Sequence, residues 1–148
     1  MKHAVDPRID GVPHLPYEDS FFDVVVIDPP YAHNPGSIFC ESRYQNKATT
    51  SGLYHKDVIE LYRQGMIEAK RILKQSGQLW VKCKDEIESS KQKWSHIEIF
   101  DSAIRELGFY GKDKFVLTPS TPPIIQHFPQ QHARKNHSYL WIFQKSKH

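Results

Sequence analysis

The stretch Phe22-Asp23-Val24-Val25-Val26-Ile27-Asp28-Pro29-Pro30-Tyr31 decides how the remainder of the chain is read. Its first six residues form a β-branched run that is continuous rather than alternating. Such a run predicts a strand buried on both faces, the kind found inside parallel sheets. The strand is cut off by Pro29 and Pro30, which fix φ and remove two amide donors while leaving carbonyl oxygens free to accept. Ligands of open α/β sheets bind at the carboxyl ends of strands. An acidic group, Asp28, and a ring, Tyr31, are therefore expected on a stiff turn at a binding edge.

Downstream, the residues from Ala32 to Tyr54 are polar and rich in Asn, Ser and Thr. A loop of this length in a small domain is usually functional or disordered. Val58, Leu61, Tyr62, Met66, Ala69 and Ile72 or Leu73 recur at helical spacing and predict a helix over about 56–73. Gly77 is the expected turn, followed by a strand over 78–83. Ser95 and Glu98 match a capping box opening a second helix, which is expected to bury Ile97, Phe100, Ala103, Ile104 and Leu107 and to stop at Gly108. Strands are expected over 114–117 and 138–143, the last two able to close as an antiparallel pair. Residues 1–20, broken by Pro7, Gly11, Pro13 and Pro16, are expected to be irregular. The order strand, helix, strand, helix, strand, strand implies an α/β fold with a largely parallel sheet and helices packed on it.

Composition sets bounds on the partners. The 148 residues are 39% hydrophobic, enough for one globular domain, and the net charge is +3. After Asp113 no Asp or Glu follows, whereas Lys114, Arg134, Lys135, Lys145 and Lys147 do. A tail of one sign can track phosphates. Cys40 and Cys83 stand far apart, so neither a disulfide framework nor a zinc pattern follows. No apolar run approaches membrane-spanning length and the N-terminus has no signal-peptide core, so a cytoplasmic protein is expected. His127, His132 and His137 recur every five residues, a spacing that suits exposed loop positions better than a metal site. Trp80, Trp94 and Trp141 read as core or semi-core residues.

The acid–proline–proline–aromatic corner suits one task. The exocyclic amine of adenine or cytosine is a poor nucleophile because its lone pair is delocalised into the ring. If Asp28 and the Pro29 carbonyl each accept an N–H, they favour a pyramidal nitrogen able to attack a sulfonium methyl, and Asp28 offsets the charge that develops. Tyr31 can stack on a base rotated out of a duplex, recovering part of the few kcal/mol spent on unstacking. No metal is required.

This arrangement resembles the S-adenosylmethionine-dependent DNA amino-methyltransferases, whose D-P-P-Y tetrapeptide follows the fourth strand of a Rossmann-like sheet. Leu15-Pro16-Tyr17-Glu18-Asp19-Ser20-Phe21-Phe22-Asp23 is similar to that family's lead-in to the motif strand. Ala69-Lys70-Arg71-Ile72-Leu73-Lys74-Gln75-Ser76-Gly77 with Leu79-Trp80-Val81-Lys82 is similar to its next helix and strand. Gln131-His132-Ala133-Arg134-Lys135-Asn136-His137-Ser138-Tyr139 resembles the end of bacterial and phage-type enzymes.

The resemblance implies a partial Rossmann-like methyltransferase sheet, mostly parallel with an antiparallel final strand. It also implies a catalytic corner at Asp28, Pro29, Pro30 and Tyr31, S-adenosylmethionine as donor and DNA as substrate, RNA being the lesser alternative. Asp28 and the strand-end type Asp6 are the expected donor-side residues. His33, Asn34, Arg43, Arg134, Lys135, Asn136 and His137 are the expected nucleic-acid contacts. The family's glycine-rich donor turn has no counterpart, since no two of the seven glycines form G-x-G. Only 27 residues precede Asp28, whereas a βαβ unit takes about 30 or more. The expectation is a single domain over 1–148 holding the catalytic half: a truncated chain, a donor site completed by a second subunit, or a non-catalytic nucleic-acid-binding relic.

Overall fold

The computed structural model describes residues 8–9, 12–29, 54–120, 132–133 and 135–146. Within the N-terminal stretch expected to be irregular, β1 (Arg8–Ile9) and β2 (Val12–Pro13) form a short antiparallel ladder. The main sheet is built from β3 (Phe22–Ile27), β4 (Leu73–Cys83), β7 (Phe109–Leu117) and β8 (Ser138–Lys145) in the order β3-β4-β8-β7. β3 and β4 are parallel, and β8 is antiparallel to both β4 and β7. β3, β4 and β7 therefore run one way, and the final strand inserts between the second and third of them. The expected mostly parallel α/β sheet with a reversed last strand is what forms.

Helix α1 (His55–Ile72) connects β3 to β4 and buries Val58, Tyr62, Met66, Ala69 and Ile72, as its apolar spacing predicted. Asp57 accepts from the Tyr54 amide at 2.9 Å, satisfying a donor at the helix start. Leu73 leaves the helix directly into β4. The turn expected at Gly77 lies one residue earlier: Ser76 takes the left-handed conformation with φ 64°. Gly77 is needed for close packing instead, because a Cβ there would stand 2.9 Å from the Lys74 carbonyl and 3.1 Å from the Asp23 carbonyl.

A hairpin that the sequence reading missed follows β4: β5 (Glu86–Glu88) pairs with β6 (Lys91–Lys93). Its two-residue turn, Ser89-Ser90, has φ of 48° and 62°. A turn with positive φ at both positions is ordinarily signalled by Asn-Gly or Asp-Gly, so the serines gave no warning.

Helix α2 (Ser95–Asp101) continues through a π-helical turn over Ser102–Glu106 and ends at Gly108, φ 67°, as expected. Its predicted capping box does not form. Trp94 is the N-cap, Ser95 is buried with Oγ unpartnered, and the Glu98 carboxylate is engaged by His55 Nε2 at 2.9 Å instead. Ile97, expected in the core, is 50% exposed, and Ile99 takes the buried position. Trp94, read as core or semi-core, is also exposed.

Both helices cover one face of the sheet. Leu79, Val81, Cys83 and Phe143 are fully buried there against Val58, Tyr62, Met66, Ile99 and Ala103, with Val25, Ile27, Tyr139 and Trp141 packed around them. Each large apolar side chain so buried stabilises the fold by roughly 1.5–3 kcal/mol. Among the described residues, no helix covers the other face. Register places Val24 and Val26 beside Gln78 and Trp80, then Ile142 and Leu140, then Phe115. Val24, Val26 and Phe115 are exposed, Val26 to 61%. The expectation that β3 is buried on both faces is therefore wrong. β3 has a neighbour on one edge alone among the described residues, and no described helix crosses its outer face. No helix among the described residues is long and apolar enough to cross a membrane.

Candidate active site

Because β3 and β4 are parallel while β8 returns between β4 and β7, the carboxyl ends of β3 and β4 share a rim with the first residues of β8. Asp28 and Pro29 leave β3 at this rim. The Asp28 side chain is 46% exposed, and one of its oxygens, Oδ2, lies 3.0 Å from Lys82 Nζ on β4. The pairing follows from register: Ile27 lies opposite Val81, so the next residue of each strand brings Asp28 beside Lys82. Neither side chain is walled into the core. Lys82 closes the stretch Leu79-Trp80-Val81-Lys82 that resembles the family's next strand. Its pairing with the motif aspartate needed the strand register.

The lead-in to β3 is stitched to α1. Arg71 donates to the Tyr17 carbonyl at 2.8 Å and the Leu15 carbonyl at 3.1 Å, and pairs with Asp19 at 2.6 Å and Glu68 at 2.5 Å. Glu68, buried, also accepts from the Leu15 amide at 2.7 Å. The hydrogen bond from Arg71 holds the Glu68 carboxyl below its ordinary value, outweighing the opposing effect of burial. The Phe21 amide donates to the Ile72 carbonyl at 2.8 Å. These bonds fix where β3 starts and so where Asp28 ends up.

Of the residues expected to bind nucleic acid, Lys135, Asn136 and His137 are brought to the same rim, directly before β8. Lys135 donates to the Gln92 side-chain oxygen and its ammonium sits 5.2 Å from the centre of the Trp94 ring. His137 Nε2 lies 2.9 Å from the Tyr139 hydroxyl. His132 Nε2 reaches the Ser90 carbonyl at 2.8 Å, so this basic segment is tied to the β5–β6 hairpin. Pro30, Tyr31, His33, Asn34, Arg43, Arg134 and Asp6 lie outside the described residues, as do Cys40, His127 and the loop 32–53.

Three histidine–carboxylate pairs, on two histidines, were not anticipated. His55, buried at the start of α1, places Nδ1 2.7 Å from Glu86 and Nε2 2.9 Å from Glu98. It thereby links α1 to the hairpin and to α2. His96 Nδ1 lies 2.7 Å from Asp85, just past the end of β4. No periodicity or motif marks any of these pairs, because their members are 11 to 43 residues apart and meet only through the fold. Cys83, beside Asp85, is pushed up to about 12, first by burial and then by that carboxylate, so its thiol is inert near neutral pH. A cleft of about 640 Å³ is lined by Tyr54, His55, Lys56, Glu88, Glu98 and others, none of them from the Asp28 corner.

A methyl donor needs close backbone approach as well as the acid. Among the described glycines, Gly65 packs on Ile27, Gly77 sits at the opposite end of β4, and Gly108 and Gly111 flank the start of β7. None stands at the Asp28 rim.

The fold is that of known methylases. A Thermus thermophilus protein described as a putative DNA modification methylase, complexed with S-adenosyl-L-methionine, superposes with a TM-score of 0.60 at 18% identity, over 90% of this chain and 51% of its own. The PvuII DNA methyltransferase, cytosine-N4-specific, gives a TM-score of 0.63 at 14% identity, over 89% of this chain and 45% of its own. The chain thus spans about half the length of these structures. No curated protein sequence matches it. The family model described as DNA methylase matches residues 22–148, from the first residue of the motif strand onward, and the chain belongs to that family.

Proposed function

We propose that this chain holds the target base in methyl transfer from S-adenosylmethionine to the exocyclic amino group of adenine, or of cytosine, in DNA. The observation that carries the reading is a half-exposed carboxylate, Asp28, at the end of a strand whose next residue, Pro29, has no N–H. A carboxylate only accepts hydrogen bonds, and a proline carbonyl has no competing donor beside it. An amino group placed between them donates one N–H to each. That pulls its nitrogen toward the pyramidal geometry in which the lone pair is available, and the carboxylate offsets the positive charge as it develops.

Lys82 holds Asp28 through Oδ2, which keeps the carboxylate at the rim while leaving Oδ1 for the substrate. Pro30 stiffens the turn and Tyr31 stacks on the extruded base. Arg134, Lys135, Asn136 and His137, with His33, Asn34 and Arg43, contact the nucleic acid around it.

The donor cradle comes from elsewhere. The bare sheet face and the outer edge of β3 support a reading in which another segment, of this polypeptide or of a second subunit, covers Val24 and Val26 and brings the glycine-rich turn and the donor to the rim. Replacing Asp28 by Ala should abolish methylation by the completed enzyme, a loss of at least about 10³-fold in kcat, while duplex binding changes little. Unchanged turnover in that variant would falsify the mechanism. Methyl incorporation measured side by side into duplex DNA and ribosomal RNA separates a DNA substrate from the guanine amino groups of ribosomal RNA.

A further inference from the structure

Asp85 is an anomaly. Its side chain has no exposed surface, yet one oxygen, Oδ2, has no hydrogen-bond partner among the described residues. A buried carboxylate oxygen left unpaired costs about 1–3 kcal/mol or more, and groups held at such a cost are often there for function. The other oxygen, Oδ1, is committed to His96, accepting from its backbone amide at 3.2 Å and lying 2.7 Å from its Nδ1. Since the carboxylate only accepts, Nδ1 is the nitrogen that carries a proton toward Asp85.

The imidazole is held by its neighbours while its side chain stays 13% exposed. Its ring stacks on Tyr139 with centroids 4.1 Å apart and planes 19° apart, and Trp94 meets it edge-on at 6.2 Å. The Trp141 indole N–H donates to the His96 carbonyl at 3.0 Å. All of this orients the remaining nitrogen, Nε2, which has no hydrogen bond among the described residues. The site stands at the end of β4 and the start of β8, on the Asp28 rim. Its neighbours are cationic or aromatic: Lys135 over Trp94, which is 48% exposed, and Lys114 5.7 Å from the Tyr139 ring and 5.3 Å from that of Trp141.

We propose that Asp85 and His96 form a nucleic-acid contact distinct from the aspartate–proline corner: with Nδ1–H held on Asp85, the ring takes up a proton at Nε2 on binding and, as an imidazolium, donates Nε2–H to a phosphate of the bound strand, while Lys135 supplies the adjacent charge. Asp85 is a positioning residue: it holds the ring so that the outer nitrogen faces the backbone with its direction already set. A fixed donor loses little freedom on binding, which is how a preorganised contact gains over a mobile surface lysine. The inference rests on the nucleic-acid reading above, and it assigns the phosphate contact to a residue outside the basic segment before β8.

Two substitutions separate this role from a purely structural one. His96→Asn places an amide nitrogen near the position of Nδ1, so it can keep the bond to Asp85 while removing the outer nitrogen. His96→Gln does the reverse, reaching outward while giving up Asp85. Binding of a fluorescently labelled duplex DNA would be followed by anisotropy over a range of salt concentrations, with thermal unfolding recorded for each protein.

His96→Asn is expected to bind about tenfold more weakly near ~0.1 M salt. The slope of log affinity against log salt should be shallower by about one, with the unfolding midpoint held near that of the parent. His96→Gln keeps an outward donor, so it should bind more tightly than His96→Asn at the same flattened salt slope, and unfold at lower temperature. If His96→Asn binds with parental affinity and parental salt slope, the pair is only a brace between α2 and the sheet, and the proposal is overturned. If the unsubstituted protein does not bind duplex DNA at all, the nucleic-acid reading itself falls and this inference with it.

Discussion

The two faces of the four-stranded sheet are made by the same strands, one residue out of phase, and they have opposite fates. On one, Leu79, Val81, Cys83 and Phe143 are sealed under α1 and α2. On the other, Val24, Val26 and Phe115 stand open, with Trp80, Leu140 and Ile142 half-buried among them. Side chains alternate along a strand, so a continuous β-branched run such as residues 22–27 offers apolar groups to both faces whether or not both are covered. The run therefore encodes a strand with two apolar faces. It says nothing about whether this segment of chain also supplies the second cover. That difference bears on the proposed function, because the open face adjoins the Asp28–Lys82 corner.

The contrast can be broken most sharply at Phe143. Phe143→Ala empties the centre of the covered face and should cost about 3–5 kcal/mol, read as a fall in the denaturant midpoint. A loss under ~1 kcal/mol would mean that the covered face is not the core described above. His55→Ala comes next. It removes the link between α1, the hairpin and α2 and takes a partner from the buried Glu86, for an expected loss of about 2–3 kcal/mol.

Acid probes the third contrast, between the sheet and its lead-in. The folded pKa of Glu68 lies below its ordinary value of 4.5, so the carboxylate's contribution is complete above about that pH and is lost as pH falls through the folded value. Hydrogen exchange at the Leu15 amide, which donates to Glu68, should accelerate in that acid window before the sheet amides do. Glu68→Gln should remove the acid dependence. The smallest effect belongs to the bare face: Val26→Thr should change stability by less than ~0.5 kcal/mol in this chain alone. If another segment covers the face, the same substitution becomes costly only when that segment is present. A large effect in the isolated chain would instead show that this chain itself already covers Val26.

Local order was legible wherever a residue pattern is its own cause. The spacing from Val58 to Ile72 produced the amphipathic α1, Gly108 stopped α2 through its positive φ, and the apolar run from Ser138 onward became β8. The capping box at Ser95 failed because Glu98 had a better partner in His55, 43 residues away. The Ser89-Ser90 hairpin was invisible because serine does not advertise a positive φ. In the site, the identity of Asp28 and its place at a strand end were readable. Its partner Lys82 and the Asp85–His96 pair were not, since a register and a strand insertion create both.

By itself the sequence determined the elements, the motif strand and the acid at its end, because backbone propensity and the prolines act within a few residues. Tertiary structure alone decided which face of the sheet is covered, which cation meets Asp28, and which imidazole faces the rim. Those outcomes depend on contacts between residues far apart in the chain, whose free energies exist only once β3 has paired in register with β4 and β8 has slotted between β4 and β7.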